Sequence, residues 1–154
     1  MRIGVLLGVG GGLAGLCAGA LAAAAPAGDG TGQALTARRA GFRMSAVTFG
    51  ALRAMGESGD ISRAAFPASG LALWAKALPG SFPAGSDGAG SDALPLIWSD
   101  QAGFAAAAAA YQTATARLES AAKAGDVAGF RAALAETGKA CGSCHDRYRK
   151  PQPK

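Results

Sequence analysis

The chain has 154 residues, half of them hydrophobic but only 6% aromatic, with 24 glycines, three cysteines and one histidine. That length builds one domain with a single core, and one histidine excludes any catalytic or metal site that needs two imidazoles from the same chain. The formal charge of +5 is spread along the sequence; it does not gather into the basic face with stacking aromatics that nucleic-acid binding requires.

Residues 1–27 hold one base, Arg2, and no acid. Arg2, an apolar stretch from Ile3 to about Leu21, and small residues through Ala27 follow the order of a secretory signal. Cleavage is expected after Ala23, Ala25 or Ala27, leaving a mature domain over 28–154 with a charge of about +4. The competing reading is a retained membrane anchor. Glycines throughout the stretch and the lack of a basic stop-transfer flank favour cleavage, so no stable anchor is expected on the mature chain. Leu16 precedes Cys17 where a lipoprotein signal would want a small residue, so a lipid anchor is not expected there either.

Four helices follow from residue spacing. The first is predicted over about 31–56: Leu35, Phe42 and Phe49 recur every seven residues, with Arg38, Ser45 and Leu52 at the alternate step, the pattern of a bundle seam. The second is predicted over about 61–78, with Asp60 as its N-cap and Pro79-Gly80 as its stop; Pro67 and Gly70 inside it predict a kink or a late start. Residues 79–97 are rich in Gly, Pro, Ser and Asp and read as one long connection. The third helix is predicted over about 99–124, with Phe104, Tyr111 and Leu118 every seven and a strongly helix-forming run at Ala105–Ala110. Gly125-Asp126 is a turn and cap. The fourth carries Val127, Leu134, Cys141 and Tyr148, again every seven, and ends before Pro151. No strand-like alternation appears. The fold class is therefore all-α, an antiparallel four-helix bundle with one long crossover.

The fourth helix carries Cys141-Gly142-Ser143-Cys144-His145. C-x-x-C-H is the attachment sequence of c-type haem. Two thiols three residues apart on a helix can each bond one of the two vinyl groups, and the histidine that follows offers a nitrogen to the iron. The attachment is made on the exported side of a membrane, in agreement with the leader. A thioredoxin-like pair would need a preceding strand, and a zinc site a fourth ligand; the sequence supplies neither. One covalently bound haem c per chain is expected, with Cys141 and Cys144 as tethers and His145 as axial ligand.

With His145 engaged, Met44 and Met55 are the remaining strong candidates for the opposite face of the iron, lysines a distant third. Met44 lies about 200° round the helix from Phe42, away from the seam, and Met55 lies about 20 Å along the axis from Phe42. Both are expected to pack or face solvent, which leaves the iron five-coordinate against an apolar wall. Phe42, Phe49, Phe104, Tyr111 and Leu134 are the seam residues available to build a dry pocket. Arg38 on that seam is expected to have a carboxylate partner, because an unpaired buried guanidinium is costly. Arg147, Arg149, Lys150 and Lys154 form a basic tail, of which Lys150 and Lys154 are expected to be solvated.

Over about residues 31–150 the sequence resembles the cytochrome c′ family. The likeness is carried by Ile97-Trp98-Ser99 with Phe104, by Ala124-Gly125-Asp126 with Phe130-Arg131, by Lys139 through Arg149 (KACGSCHDRYR), and by ARRAGFRMSAVTFGALRAM in the first helix. Leu94 and Leu96 depart from it, standing where relatives carry charged residues. The resemblance implies a periplasmic protein of a Gram-negative bacterium: a homodimeric, left-handed four-helix bundle with a high-spin haem that binds small neutral gases, nitric oxide above all, and carbon monoxide. It places Arg38 and Arg39 near the haem propionates, Phe42 over the distal face of the iron, and Arg149 beside the proximal His145. In low-spin relatives the position of Phe42 is a ligating methionine.

The expected function is gas binding, with electron transfer through the same iron as a companion role. A six-coordinate, low-spin electron carrier of the same fold is the alternative. An enzymatic role such as peroxidase is not expected, since no second histidine is left for acid–base work on peroxide.

Overall fold

The computed structural model of the protein describes residues 30–152. The expected leader, its cleavage site, Cys17 and Lys154 lie outside the described residues. Four long helices carry the fold: α1 (Gly30–Ser58), α2 (Ala65–Ala77), α4 (Gln101–Ala124) and α5 (Val127–Tyr148), with a single turn, α3 (Leu96–Ser99), between α2 and α4. Each long helix packs on two others: α1 on α2 and α5, and α4 on α2 and α5. The four close into the expected bundle. Its one long connection runs over 78–95 between α2 and α3.

The predicted seams are the buried ones. Phe104, Tyr111 and Leu118 of α4 are buried, as are Leu134 and Tyr148 of α5, while Phe42 and Phe49 of α1 are half-buried against the core. Leu52, Leu71, Leu118 and Phe130 are almost wholly excluded from solvent, each contributing about 1.5–3 kcal/mol. Between them sit Ala68, Ala75, Ala108, Ala122 and Ala133, small enough for close helix approach. The packed core lies mainly along α4, where it meets α5 and α2. The end bordered by the N-terminal half of α1 and the C-terminal half of α5 is left hollow.

Two boundaries differ from the sequence reading. The second helix starts at Ala65, not near Ile61, so Pro67 falls in the first turn, where its missing N–H has no intrahelical partner to lose. Asp60 does not cap it: its carboxylate accepts from the N–H of Ser62 (3.1 Å) and from Ser62 Oγ (2.7 Å), closing a local turn. The third helix is interrupted at Asp100, which leaves helical geometry at φ −119°, ψ 61° and caps α4 by accepting from Gly103 N–H at 3.1 Å. The expected stop after Leu78 is real, although Pro79–Ser81 continues as one 3-10 turn. Gly125, with φ 66°, closes α4, and Asp126 caps α5 by accepting from Gly129 N–H at 2.9 Å.

The crossover is not featureless. Leu94 N–H donates to Tyr148 O at 2.9 Å and Lys150 N–H to Asp92 O at 2.8 Å, pairing Ala93 with Arg149 in an isolated antiparallel bridge. Lys150 Nζ also donates to Ser91 O at 2.8 Å, so this lysine, exposed as expected, is a strap as well. The segment just after α5 is thereby fastened across the hollow end of the bundle.

Candidate haem site

The hollow end is a cavity of ≈ 440 Å³ walled by α1, α4, α5 and the crossover. That size lies within the range of small-molecule and cofactor pockets. Cys141, Cys144 and His145 all line it, as do Arg38, Arg39, Phe42, Phe49, Phe104, Tyr111 and Arg149. The spacing of three on α5 puts both thiols on one helical face, and both are free and half-buried. Burial pushes both thiols up, Cys141 further affected by Cys144 beside it. Burial, and then the charge of Arg149, hold the His145 imidazole below its usual pKa against a weaker pull from Asp146. The imidazole is thus neutral at pH 7, with a lone pair to offer a metal. Burial also raises the phenol of Tyr111, which stays protonated.

Opposite His145 stands Phe42. Their ring centroids are 6.3 Å apart, with planes at 66°. Phe42 meets Trp74 of α2 edge-on at 5.4 Å and Phe82 of the crossover at 6.3 Å. Phe82 continues the aromatic lining to Phe104 at 5.0 Å, and Phe104 meets Tyr148 at 5.5 Å. Met44 is 66% exposed, and Met55 is half-buried against the far core; neither lines the cavity.

Arg38 is 4% exposed, and its partners differ from the carboxylate expected of it. Nη1 donates to Ser81 O (3.0 Å) and Ser86 Oγ (2.9 Å), and Nη2 to Ser86 O (2.7 Å) and Ser91 Oγ (3.1 Å). The guanidinium also lies 4.4 Å over the ring of Phe82. The crossover wraps its own oxygens round the cation, giving each terminal nitrogen two acceptors without neutralising the charge. Burial lowers the Arg38 pKa, and the more distant Asp87 opposes that. Arg39 and Arg149 are exposed at the mouth of the cavity, where Arg43 and Asp92 join them. None of the four ion pairs among the described residues involves Arg38, Arg39, Arg43 or Arg149. The mouth therefore carries positive charge that two carboxylates could balance.

These features fit haem c: two thiols and a neutral imidazole on one helix, dry aromatic walls, and free cations at the rim. Sequence reasoning had missed three contributors. Trp74 and Phe82 build the wall behind and beside Phe42. Asp100 accepts from Gly103 N–H, Tyr148 Oη (2.8 Å) and Arg147 Nη2 (2.8 Å), tying the start of α4 to the end of α5 just past His145. A β-carbon at Gly103 would lie 2.6 Å from Tyr148 Oη and overlap the Asp100 carboxylate, so any side chain there would push these groups aside. The sequence signal for Asp100 was there, an aspartate three residues before a glycine at a helix start. Phe82 gave only the hint of a lone aromatic in a polar connection.

Comparison with known proteins agrees with this architecture. The family model described as Cytochrome C′ matches residues 33–149. Cytochrome c′ of Rubrivivax gelatinosus is 39% identical over 123 residues, covering 77% of this chain and 95% of that protein. The crystal structure of cytochrome c′ from the same organism superposes with a TM-score of 0.74 at 36% identity, covering 78% of this chain and 97% of the other. A ferrous variant of Alcaligenes xylosoxidans cytochrome c prime with bound NO superposes with a TM-score of 0.73 at 30% identity, covering 79% and 97%.

Proposed function

The chain belongs to the cytochrome c′ family and so carries covalently bound haem c; from that premise and the cavity we propose that it is an exported, five-coordinate cytochrome that binds small neutral gases, nitric oxide first among them. The observation that carries this reading is Phe42 facing His145 across the cavity. A phenyl ring has no lone pair to give iron, and the one thioether on neighbouring sequence, Met44, points to solvent. The alternative of a low-spin carrier with Met44 as sixth ligand finds no support in that arrangement.

Cys141 and Cys144 would tether the group, and His145 would offer its imidazole nitrogen to the iron. Haem c supplies, when bound, an iron that exchanges electrons and takes a diatomic gas. Arg39 and Arg149 at the mouth would meet the propionates, and Arg38 would add its charge from behind while its donors hold the crossover. The aromatic walls exclude water, and the Phe42 ring resists ligands on the distal face. Neutral gases of small size are favoured, because an anion would have to enter a dry pocket unpaired. Bound NO in the Alcaligenes xylosoxidans relative, and bound carbon monoxide in another of its variants, support gases as ligands here. The chain's single imidazole is engaged, so no second histidine is left for acid–base work on peroxide and no enzymatic turnover is proposed. Electron transfer through the same iron accompanies gas binding. Location in the periplasm rests on the leader and on covalent haem attachment; no helix among the described residues is long and apolar enough to cross a membrane.

A homodimer belongs to the same reading. Ala37, Ala40, Met44, Val47, Ala51 and Ala54 form a second heptad-spaced apolar stripe on the outer face of α1, all exposed, and Phe66 and Leu73 of α2 are exposed too. A second copy covers it; sedimentation of Leu73→Glu should show monomers where the wild type shows dimers.

Carbon monoxide titration of the haem-loaded protein tests the gas reading. Phe42→Ala should raise the affinity, at a stability cost of about 2–3 kcal/mol for a half-buried ring. An unchanged affinity would remove Phe42 from the distal face.

A further inference from the structure

Trp74 does not line the cavity, yet it touches the residue that governs it. One edge of its six-membered ring sits against α1 at Gly41: a β-carbon there would overlap Cη2 and Cζ3 and come within 2.8 Å of Cε3. The glycine is thus a seat for the indole, one residue before Phe42. From that seat the indole presents itself to the Phe42 ring at 5.4 Å between centroids, with planes at 81°. Nothing polar orients it. Trp74 Nε1 is the one buried side-chain polar atom without a hydrogen-bond partner among the described residues, so shape alone places this ring. The Phe42 ring is bracketed by Trp74, by Phe82 and by His145. Of these, Trp74 is the contact braced against the backbone of Phe42's own helix.

We propose that Trp74, seated on Gly41, is a positioning residue for gas selectivity: it stops Phe42 from withdrawing toward α2 and so keeps the distal face obstructed. The proposal rests on the reading of Phe42 as the distal residue. Close-packed interiors make the consequence specific, since a side chain moves into space only when space is opened beside it. Removing the indole opens space behind Phe42 and leaves the cavity lining untouched. Filling the seat acts from the other helix, because a methyl group at position 41 dislodges the indole.

A double-mutant cycle on the haem-loaded protein, read by carbon monoxide affinity, tests this. Trp74→Ala should raise the affinity by about tenfold. In the Phe42→Ala background the same change should add almost nothing, because the ring it restrains is gone. Gly41→Ala should raise the affinity in the same direction, and Trp74→Phe should fall back toward wild type. Where Trp74→Ala folds poorly, Gly41→Ala and Trp74→Phe complete the comparison. If Phe42→Ala raises affinity while Trp74→Ala and Gly41→Ala leave it unchanged, the positioning role is wrong and the distal reading stands. Gains that simply add in the double variant also overturn it. If Phe42→Ala itself changes nothing, the distal reading fails and this inference with it.

Discussion

The two walls of the cavity are built in opposite ways. On the α5 side, Cys141, Cys144 and His145 come from one helical turn, and the helix itself fixes their mutual placement. On the α1 side, Phe42 is placed by Trp74 of α2 and Phe82 of the crossover, residues 32 and 40 positions away in sequence. The first wall holds a cofactor through contiguous chemistry. The second decides what reaches it, through packing between elements. Attachment is therefore local and hard to tune, while selectivity is distributed and can be altered from outside the pocket.

The largest effect belongs to the α5 wall. Changing both Cys141 and Cys144 to alanine should release the pigment on acid–acetone extraction, whereas the wild type should keep it bound to the polypeptide. Pigment lost from the wild type would break the contrast at its firm side. On the α1 wall, Phe42→Met should give a six-coordinate, low-spin spectrum, since a thioether then faces His145. A spectrum that stays high-spin would mean that position 42 does not look onto the iron.

A smaller effect is expected where the two walls are tied together. Asp100 is held below the usual carboxylate range first by the hydroxyl of Tyr148 and then by Gly103 N–H; desolvation opposes them, and Arg147 adds the smallest pull. A depressed folded pKa stabilises the fold above the unfolded value, near 4, and that contribution fades as pH falls through the folded value. Asp100→Ala should lower the melting temperature at pH 7, with the gap to wild type narrowing as pH is taken toward 3. A gap independent of pH would show that the carboxylate charge contributes nothing. The smallest effect is Met44→Ala, which should leave the spectrum unchanged. A switch from low-spin to high-spin on that substitution would place Met44, not Phe42, opposite His145.

Legibility followed the same division. The heptads at Phe104, Tyr111 and Leu118 and at Leu134, Cys141 and Tyr148 exposed the bundle, because burial in a helix repeats with the helix. The C-x-x-C-H run exposed the attachment site, because its geometry is contained in one turn. Arg38 was legible as an oddity on a buried seam but not in its partners, which are oxygens of Ser81, Ser86 and Ser91 delivered by a connection without periodicity. The late start of α2 followed from Pro67, foreseen as one of two outcomes; the break at Asp100 did not follow, since the apolar pattern runs on across it. Trp74 and Phe82 were hidden for one reason: their role is defined by what they touch across the bundle, and the pattern of their own segment carries no trace of that.

The absorption spectrum of the reduced protein, recorded before and after exposure to nitric oxide, tests the central claim most directly. A broad high-spin Soret band that changes on adding the gas is the predicted result. Sharp low-spin α and β bands, unaltered by nitric oxide, would contradict it.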